Sequence, residues 1–536
     1  MKVMLVYPND RMDSLIPVGL SVLSSHLKQA GHDVKLYDTT FYDTGKETGD
    51  SFRENMGQII RVDLEKYGVR RIKMSPEQLQ QDFRRAVLDY QPGLVGFSTL
   101  EMTYNQGLEL ANSIKDIPVP KIFGGIYPTF APKIVLKEPA IDMICEGEGE
   151  EMLPELATIL ERGEDITRIL NLTVKRNGKI YRSGEVVELE DLPTGDNIYG
   201  EKTGLRRPSI RLEKILPPDY SIYDNKRFWK KMGGKAVRTV AVELSRGCPF
   251  SCGFCCTPML RYQHQVGRER YSEFSGLELE ALKKSDSFHR EKPIDKFIEE
   301  VKSTIEEYNI NYLFFTDESF LSMSKERFWG FVREYGEKIR LPFFIEIRAE
   351  TVKPGHAKAL EEAGCDGIAI GIESGSLRIR KELLKRFMDD EIIISAFEEF
   401  KNTGIRISGN NIIGFPFETR EDIMNTVEIN RQINPDSVIV NAFRPYSGTE
   451  LRKICIENDL IPSEERVEDN RVYGAFDNGV LSAREIEGIR KVFNLYVKFP
   501  KERWGEIKKA ENDEKLRQFL IEEYQKKNML YRKKRQ

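Results

Sequence analysis

The sequence predicts an α/β protein built as two successive strand–helix domains with a helical tail. Three observations carry this. Short apolar runs alternate with helical stretches through residues 1–190. The same alternation resumes at 236–450, after a polar, Gly- and Pro-rich connector at 191–235. Past residue 450, strand patterns stop and a charged, mostly helical segment runs to 536. Alternation of this kind implies parallel sheets, which bind ligands beyond the carboxyl ends of their strands.

At 536 residues the chain is too long for a single hydrophobic core. Its 40% hydrophobic and 31% charged residues are those of an ordinary globular protein. A net charge of −4 gives no electrostatic reason to expect nucleic acid. No apolar run approaches the roughly 20 residues of a membrane span, and the start, MKVMLVYPND, turns polar too early for a signal peptide. Seven cysteines, four of them in one cluster, do not form a disulfide framework, so a reducing cytoplasm is the expected location.

In the first domain, MKVMLVYP reads as a strand, and a helical stretch follows it to Gly31, a C-cap candidate. VKLYD, LVGFSTL (94–100) and KIFGGIYPTFAP (121–132) continue the series, with helix patterns between. Strand ends carry Ser98-Thr99-Leu100, Gly124-Gly125 before Tyr127, and Glu146-Gly147-Glu148-Gly149-Glu150. Paired glycines let a large ligand approach the backbone, although ordinary tight turns account for the same residues.

These residues resemble the N-terminal Rossmann-like domain of cobalamin-binding radical enzymes, in which SxL and GG are two of three signatures. The likeness implies cobalamin contacts at Ser98, Leu100, Gly124, Gly125, Tyr127 and Glu148. The third signature, a DxHxxG loop with a cobalt-ligating His, is missing: Asn9 to Ser14 hold no His. His26 and His32 lie on and just past the next helix, in solvated or core roles. The expectation is a cobalt without a histidine below it.

From Ser245 to Cys256 the sequence reads SRGCPFSCGFCC, with spacing Cys248-x3-Cys252-x2-Cys255 and Cys256 adjoining. Thiolates at this spacing on one loop can share a metal centre. A zinc site needs a fourth ligand, and Cys256, His264, His289, Cys365 and Cys455 form no second CxxC or HxxxH pair. Adjacent side chains diverge, so Cys256 is expected to face the barrel wall as a small apolar residue. Three ligands without a clear fourth suggest a cluster with one open position.

The CxxxCxxC pattern, with Phe254 before its last Cys, is the hallmark of the radical SAM superfamily. There three thiolates hold a 4Fe–4S cluster and S-adenosylmethionine (SAM) takes the fourth iron. Behind the cluster strand come NYLFFTDESF (311–320), PFFIEIRAE (342–350), DGIAIGIESGS (366–376), ISGNNIIGFPFET (407–419) and DSVIVNAFRPYSGTEL (436–451). Six such units make a partial (β/α)6 barrel with its site at the carboxyl ends of the strands. Asp317, Glu318, Arg348 and Glu373 stand at those ends, where carboxylates can meet an ammonium or sulfonium and Arg a carboxylate. Helix caps and surface pairs explain each of them singly. TDESF, GIESG and GFPFET are similar to the SAM-binding motifs of this superfamily.

Both domains in one chain resemble the cobalamin-dependent radical SAM class, most of it methyltransferases. That resemblance implies a 5′-deoxyadenosyl radical that takes hydrogen from an unactivated sp3 carbon, methyl delivery from methylcobalamin, and an electron donor such as ferredoxin or flavodoxin. The substrate expected is a peptide or protein side chain or a small molecule; Arg444 and Tyr446 are candidates to face it, and core packing or surface pairing explains them equally well. Cyclisation, ring rearrangement or oxidation without methyl transfer is the second reading, and a non-catalytic corrinoid or metal-binding module the third. In the tail, Leu516, Phe519, Leu520 and Tyr524 fit one helical face, read as a domain that closes the barrel mouth or walls the substrate. The terminal RKKRQ reads as a solvated end.

Overall fold

The structure, a computed structural model, describes residues 1–10, 15–196, 206–285, 287–464 and 475–533. Residues 11–14, the missing-histidine loop, and most of the terminal RKKRQ lie outside the described residues.

The first sheet contains β1 (Lys2–Tyr7), β2 (Asp33–Asp38), β3 (Leu94–Ser98), β4 (Lys121–Gly124), β5 (Met143–Cys145), β6 (Leu172–Arg176), β7 (Lys179–Arg182) and β8 (Glu185–Val187). Their order is β8-β7-β6-β5-β4-β3-β1-β2. The pairs among β1 to β5 are parallel, as predicted. β6 to β8 extend the sheet as an antiparallel meander that was not predicted. Met4, Val6, Val95, Phe97 and Phe123 face one packed layer, Val3, Leu5, Leu94 and Ile122 the other, as expected of a sheet covered on both faces. Helix Pro76–Tyr90 shows how locally the elements are encoded. Ser75 and Gln78 form a capping box, Pro76 opens the first turn, and Leu79, Phe83 and Val87 are buried at helical spacing.

The second sheet contains β9 (Trp229–Met232), β10 (Lys235–Val242), β11 (Tyr312–Phe315), β12 (Phe343–Arg348), β13 (Cys365–Glu373), β14 (Arg406–Ile413) and β15 (Ser437–Ala442), hydrogen-bonded in that order. Six of them, β10 to β15, run parallel and form the partial barrel. β9 lies inside the stretch read as connector and pairs antiparallel with β10. Val240, Leu313, Ile345, Ile368 and Ile370 pack outward into the largest core. Alternation turns Phe314, Phe344, Arg348, Gly371 and Glu373 inward, and the rings of Phe314 and Phe344 stack at 5.1 Å.

Helix Ala483–Lys498 covers the last strand, packing against Val438 and Val440 and helix Arg420–Ile433. This part of the tail therefore covers the last strand of the arc, whereas Leu451 and Cys455, at the tail's start, pack with Phe254 of the cysteine loop. On its final helix Leu520, Ile521 and Tyr524 are buried, whereas Phe519, expected on that face, is 60% exposed. Helix Gly49–Asn55, from the first domain, packs into the same core through Phe52. Its Glu54 pairs with Lys231 on β9, so this helix links both edges of the arc.

Candidate active site between the two domains

β10 runs into the cysteine loop through a short ribbon, Ser245–Arg246 against Arg290–Glu291. Gly247 follows with φ 91°, and a Cβ there would stand 2.3 Å from the Phe288 carbonyl oxygen, so only glycine fits. The loop then passes close to the backbone after β13. Gly253 N–H donates to Leu384 O at 3.2 Å, and Gly253 O accepts from Leu451 N–H at 3.0 Å. Phe254 anchors the loop in the cluster of Ile379, Leu384 and Phe415. Arg261, on helix Thr257–Ser275, donates to the carbonyls of Cys248, Pro249 and Phe250 and to Ser251 Oγ.

The three thiols have different surroundings. Burial pushes Cys248 up to about 11. Burial also raises Cys252, opposed by Arg348, whose Nη1 donates to its Sγ at 2.8 Å. Cys255 is held below the usual thiol range, first by a hydrogen bond from Cys256 and further by Thr257 at the helix N-terminus. Cys256 does not face the barrel wall. It packs with Phe130 of the first domain and Met259, because it opens the helix that lies across that domain. Among the described residues no three His, Cys, Asp or Glu side chains gather round one metal ion. Three thiols on one loop, one of them beside a guanidinium, suit a multi-iron cluster better than a single ion.

The proposed SAM contacts divide. Asp317 is 1% exposed and ties β10 to β11, accepting from Ser245 Oγ at 2.5 Å and Leu244 N–H at 3.2 Å; burial pushes it up to about 7. Glu318 lines the cavity described next and accepts from Gly247 N–H at 3.3 Å. Arg348 lies 3.8 Å over the Phe250 ring and pairs with Glu350. Glu373, at φ 63°, accepts from Arg386 at 2.9 Å.

A cavity of about 470 Å³ runs from the interior of the first domain to the cysteine loop. Its deep part is apolar, lined by Leu5, Leu20, Gly96, Ile122, Met152 and Leu153, and its mouth by Gly247, Glu318, Glu243 and Arg246. Ser98, Gly124, Gly125 and Glu148 come together on its wall. Gly125, at φ 108°, brings its turn against the Thr99 carbonyl, where a Cβ would be 2.4 Å away. Glu148 bridges the domains. Burial alone would raise it, but Arg246 and Arg290 hold it down to about 2. Leu100 is 54% exposed and off the wall. Tyr127 is 1% exposed, its ring 5.0 Å from Tyr104, so it serves the core of the first domain instead of the cavity.

His32 is buried against the amino terminus and Thr158, and His26 accepts from Leu216 N–H, both structural roles. Tyr446 donates to Met102 Sδ at 2.9 Å, and Ser447 N–H to Glu101 at 2.8 Å, so the end of β15 docks on the first domain. Sequence reasoning missed Arg246, Arg261 and Arg386 and weighed His264 only as a metal ligand; Arg246 and His264 line the cavity. Arg246 stands two residues before Cys248, and that proximity was the one available signal.

Comparison with known proteins matches this arrangement. Residues 242–429 match the Radical SAM superfamily and residues 58–157 the B12 binding domain. The chain is similar to an uncharacterised methyltransferase of Pyrococcus horikoshii, 28% identical over 384 residues, 71% of this chain and 73% of the relative. It is also similar to cytidylyl-2-hydroxyethylphosphonate methyltransferase of Streptomyces wedmorensis, 21% identical over 84% of this chain and 79% of the relative. An anaerobic magnesium-protoporphyrin IX monomethyl ester cyclase of Rubrivivax gelatinosus is 22% identical over 70% of this chain and 61% of its own. In fold the chain resembles the radical S-adenosylmethionine methyltransferase TsrM of Kitasatospora setae with cobalamin and [4Fe-4S] cluster bound. The TM-score is 0.59 at 17% identity, covering 85% of this chain and 78% of that one. The two domains thus define a radical SAM enzyme with a B12-binding domain. The chain carries a B12 binding domain followed by a Radical SAM domain, in a fold shared with its structural neighbour. No described helix is long and apolar enough to cross a membrane.

Proposed function

We propose that the protein is a C-methyltransferase acting on an unactivated sp3 carbon. One observation supports this above others: Gly247 and Glu318, at the cluster end of the barrel, line the same cavity as Ser98, Gly125 and Glu148 of the B12-binding domain. Together the cofactors supply a radical that removes hydrogen from the carbon and a methyl group to replace it.

The chain's own work is to bind, orient and exclude water. In this reading Cys248, Cys252 and Cys255 hold the cluster, and Arg348 stabilises the sulfur of Cys252. Glu318 and Glu373 meet the SAM cation, while Asp317 fixes the strand ends beneath them. Ser98, Gly124, Gly125 and Glu148 form the corrinoid wall. The substrate carbon belongs to a peptide side chain or a small molecule, and ferredoxin or flavodoxin supplies the electron. Similarity to the cyclase favours one second reading, substrate oxidation or ring closure without methyl transfer.

Mass spectrometry of proteins and metabolites from a deletion strain tests the proposal. A species lighter by one CH2 than in the parent strain is expected. A species changed only by hydrogen or oxygen content would instead support the second reading.

A further inference from the structure

One buried guanidinium in the cavity wall has more donors than the described residues have acceptors for it. Arg206 is 8% exposed, and its Nε and Nη2 have no hydrogen-bond partner among the described residues. Its carboxylate neighbour Glu146, 3.7 Å away, is already held by Arg182 at 2.9 and 2.6 Å and by Thr173 at 2.6 Å. One carboxylate therefore faces two guanidinium groups. Cys145 beside them adds no negative charge, because burial pushes its thiol up to about 12. Two further acids of the wall are committed elsewhere: Glu148 to Arg246 and Arg290, Glu150 to Arg246. Arg207 pairs with Glu155. A buried cation left with unmet donors is costly unless an anion meets it.

Arg206 is also placed rather than loose. A Cβ on Gly147 would lie 3.4 Å from its Nη1, and one on Gly267 3.2 Å from its Cβ. It thus runs between the turn after β5 in the first domain and helix Thr257–Ser275 in the second. The apolar pocket of Leu5, Leu20, Gly96 and Ile122 and the mouth beside Gly247 and Glu318 belong to the same cavity.

We propose that Arg206 binds the phosphodiester of the cobalamin nucleotide tail, donating from Nε and Nη2. That phosphodiester is the one anionic group of the cofactor and joins its apolar base to its corrin ring. The base then enters the apolar pocket and the ring stays at the mouth. The assignment rests on the cobalamin reading of the site.

The test is equilibrium binding, followed by corrinoid absorbance, on the full-length chain with its cluster reconstituted. The probes are cobalamin, cobinamide phosphate (phosphate without base) and cobinamide (neither). Wild type should prefer cobinamide phosphate to cobinamide about 10- to 100-fold, the strength of a charge-assisted hydrogen bond. Arg206→Gln should lose that factor for cobalamin and cobinamide phosphate and bind cobinamide unchanged. Equal wild-type affinity for the two cobinamides would overturn the proposal without any variant being needed. Equal weakening of all three ligands in Arg206→Gln would also overturn it, by making Arg206 a fold residue. Wild type that binds none of the three would instead refute the cobalamin reading itself.

Discussion

Arg348 donates a hydrogen bond of 2.8 Å from Nη1 to Cys252 Sγ, joining the third barrel strand to the cysteine loop 96 residues earlier. The same guanidinium covers the Phe250 ring and pairs with Glu350. One side chain therefore fixes the loop and sets the charge felt by one sulfur.

Arg348→Ala should leave iron content unchanged, since three thiolates remain. The reduced cluster carries more negative charge than the oxidised one, so losing the donor lowers the midpoint potential by roughly 60–130 mV. Redox-poised EPR measures this. An unchanged potential would separate Arg348 from the cluster.

Cys252→Ala should abolish iron and sulfide incorporation, whereas Cys256→Ala should keep both. Cys256 contributes packing against Phe130 and a hydrogen bond to Cys255. Iron and sulfide analysis after anaerobic reconstitution decides between ligand and neighbour.

Gly125→Ala should cost corrinoid affinity and stability together. The substitution would put a Cβ 2.4 Å from Thr99 O at φ 108°, and a forced shift of this kind typically costs 1–3 kcal/mol or more. Thermal melting and corrinoid absorbance read the two losses.

Asp317 gives a pH signature to stability. Its folded value, pushed up to about 7 by burial, lies above its unfolded one. The folded state therefore keeps a proton that the unfolded state has lost between about pH 4 and 7. Stability from this group is full below that window and falls as pH rises through it, by a few kcal/mol at most (~3 pH units). Asp317→Asn should flatten that part of the curve in denaturant titrations; an unaltered slope would contradict the assignment.

The readable parts of this chain were the local ones. Cys248, Cys252 and Cys255, the glycines at 124–125 and the strand–helix alternation each announce themselves within a few residues. What stayed hidden depends on contacts across long separations. The Arg348–Cys252 bond, the Glu148–Arg246–Arg290 bridge and the docking of helix Gly49–Asn55 beside β9 have no sequence period to betray them. Tyr127 shows the opposite hazard. It lies two residues from Gly125, yet its short helix turns the ring into the core. Phe519 illustrates the same limit in the tail, where Ile521 takes the buried position.

The proposed function is methyl transfer in the cavity lined by both domains. Its most direct measurement is the ratio of S-adenosylhomocysteine to 5′-deoxyadenosine released during turnover of the reconstituted enzyme with its substrate. Methyl transfer predicts the two products in step, one of each per methylated carbon. Release of 5′-deoxyadenosine without S-adenosylhomocysteine would contradict it.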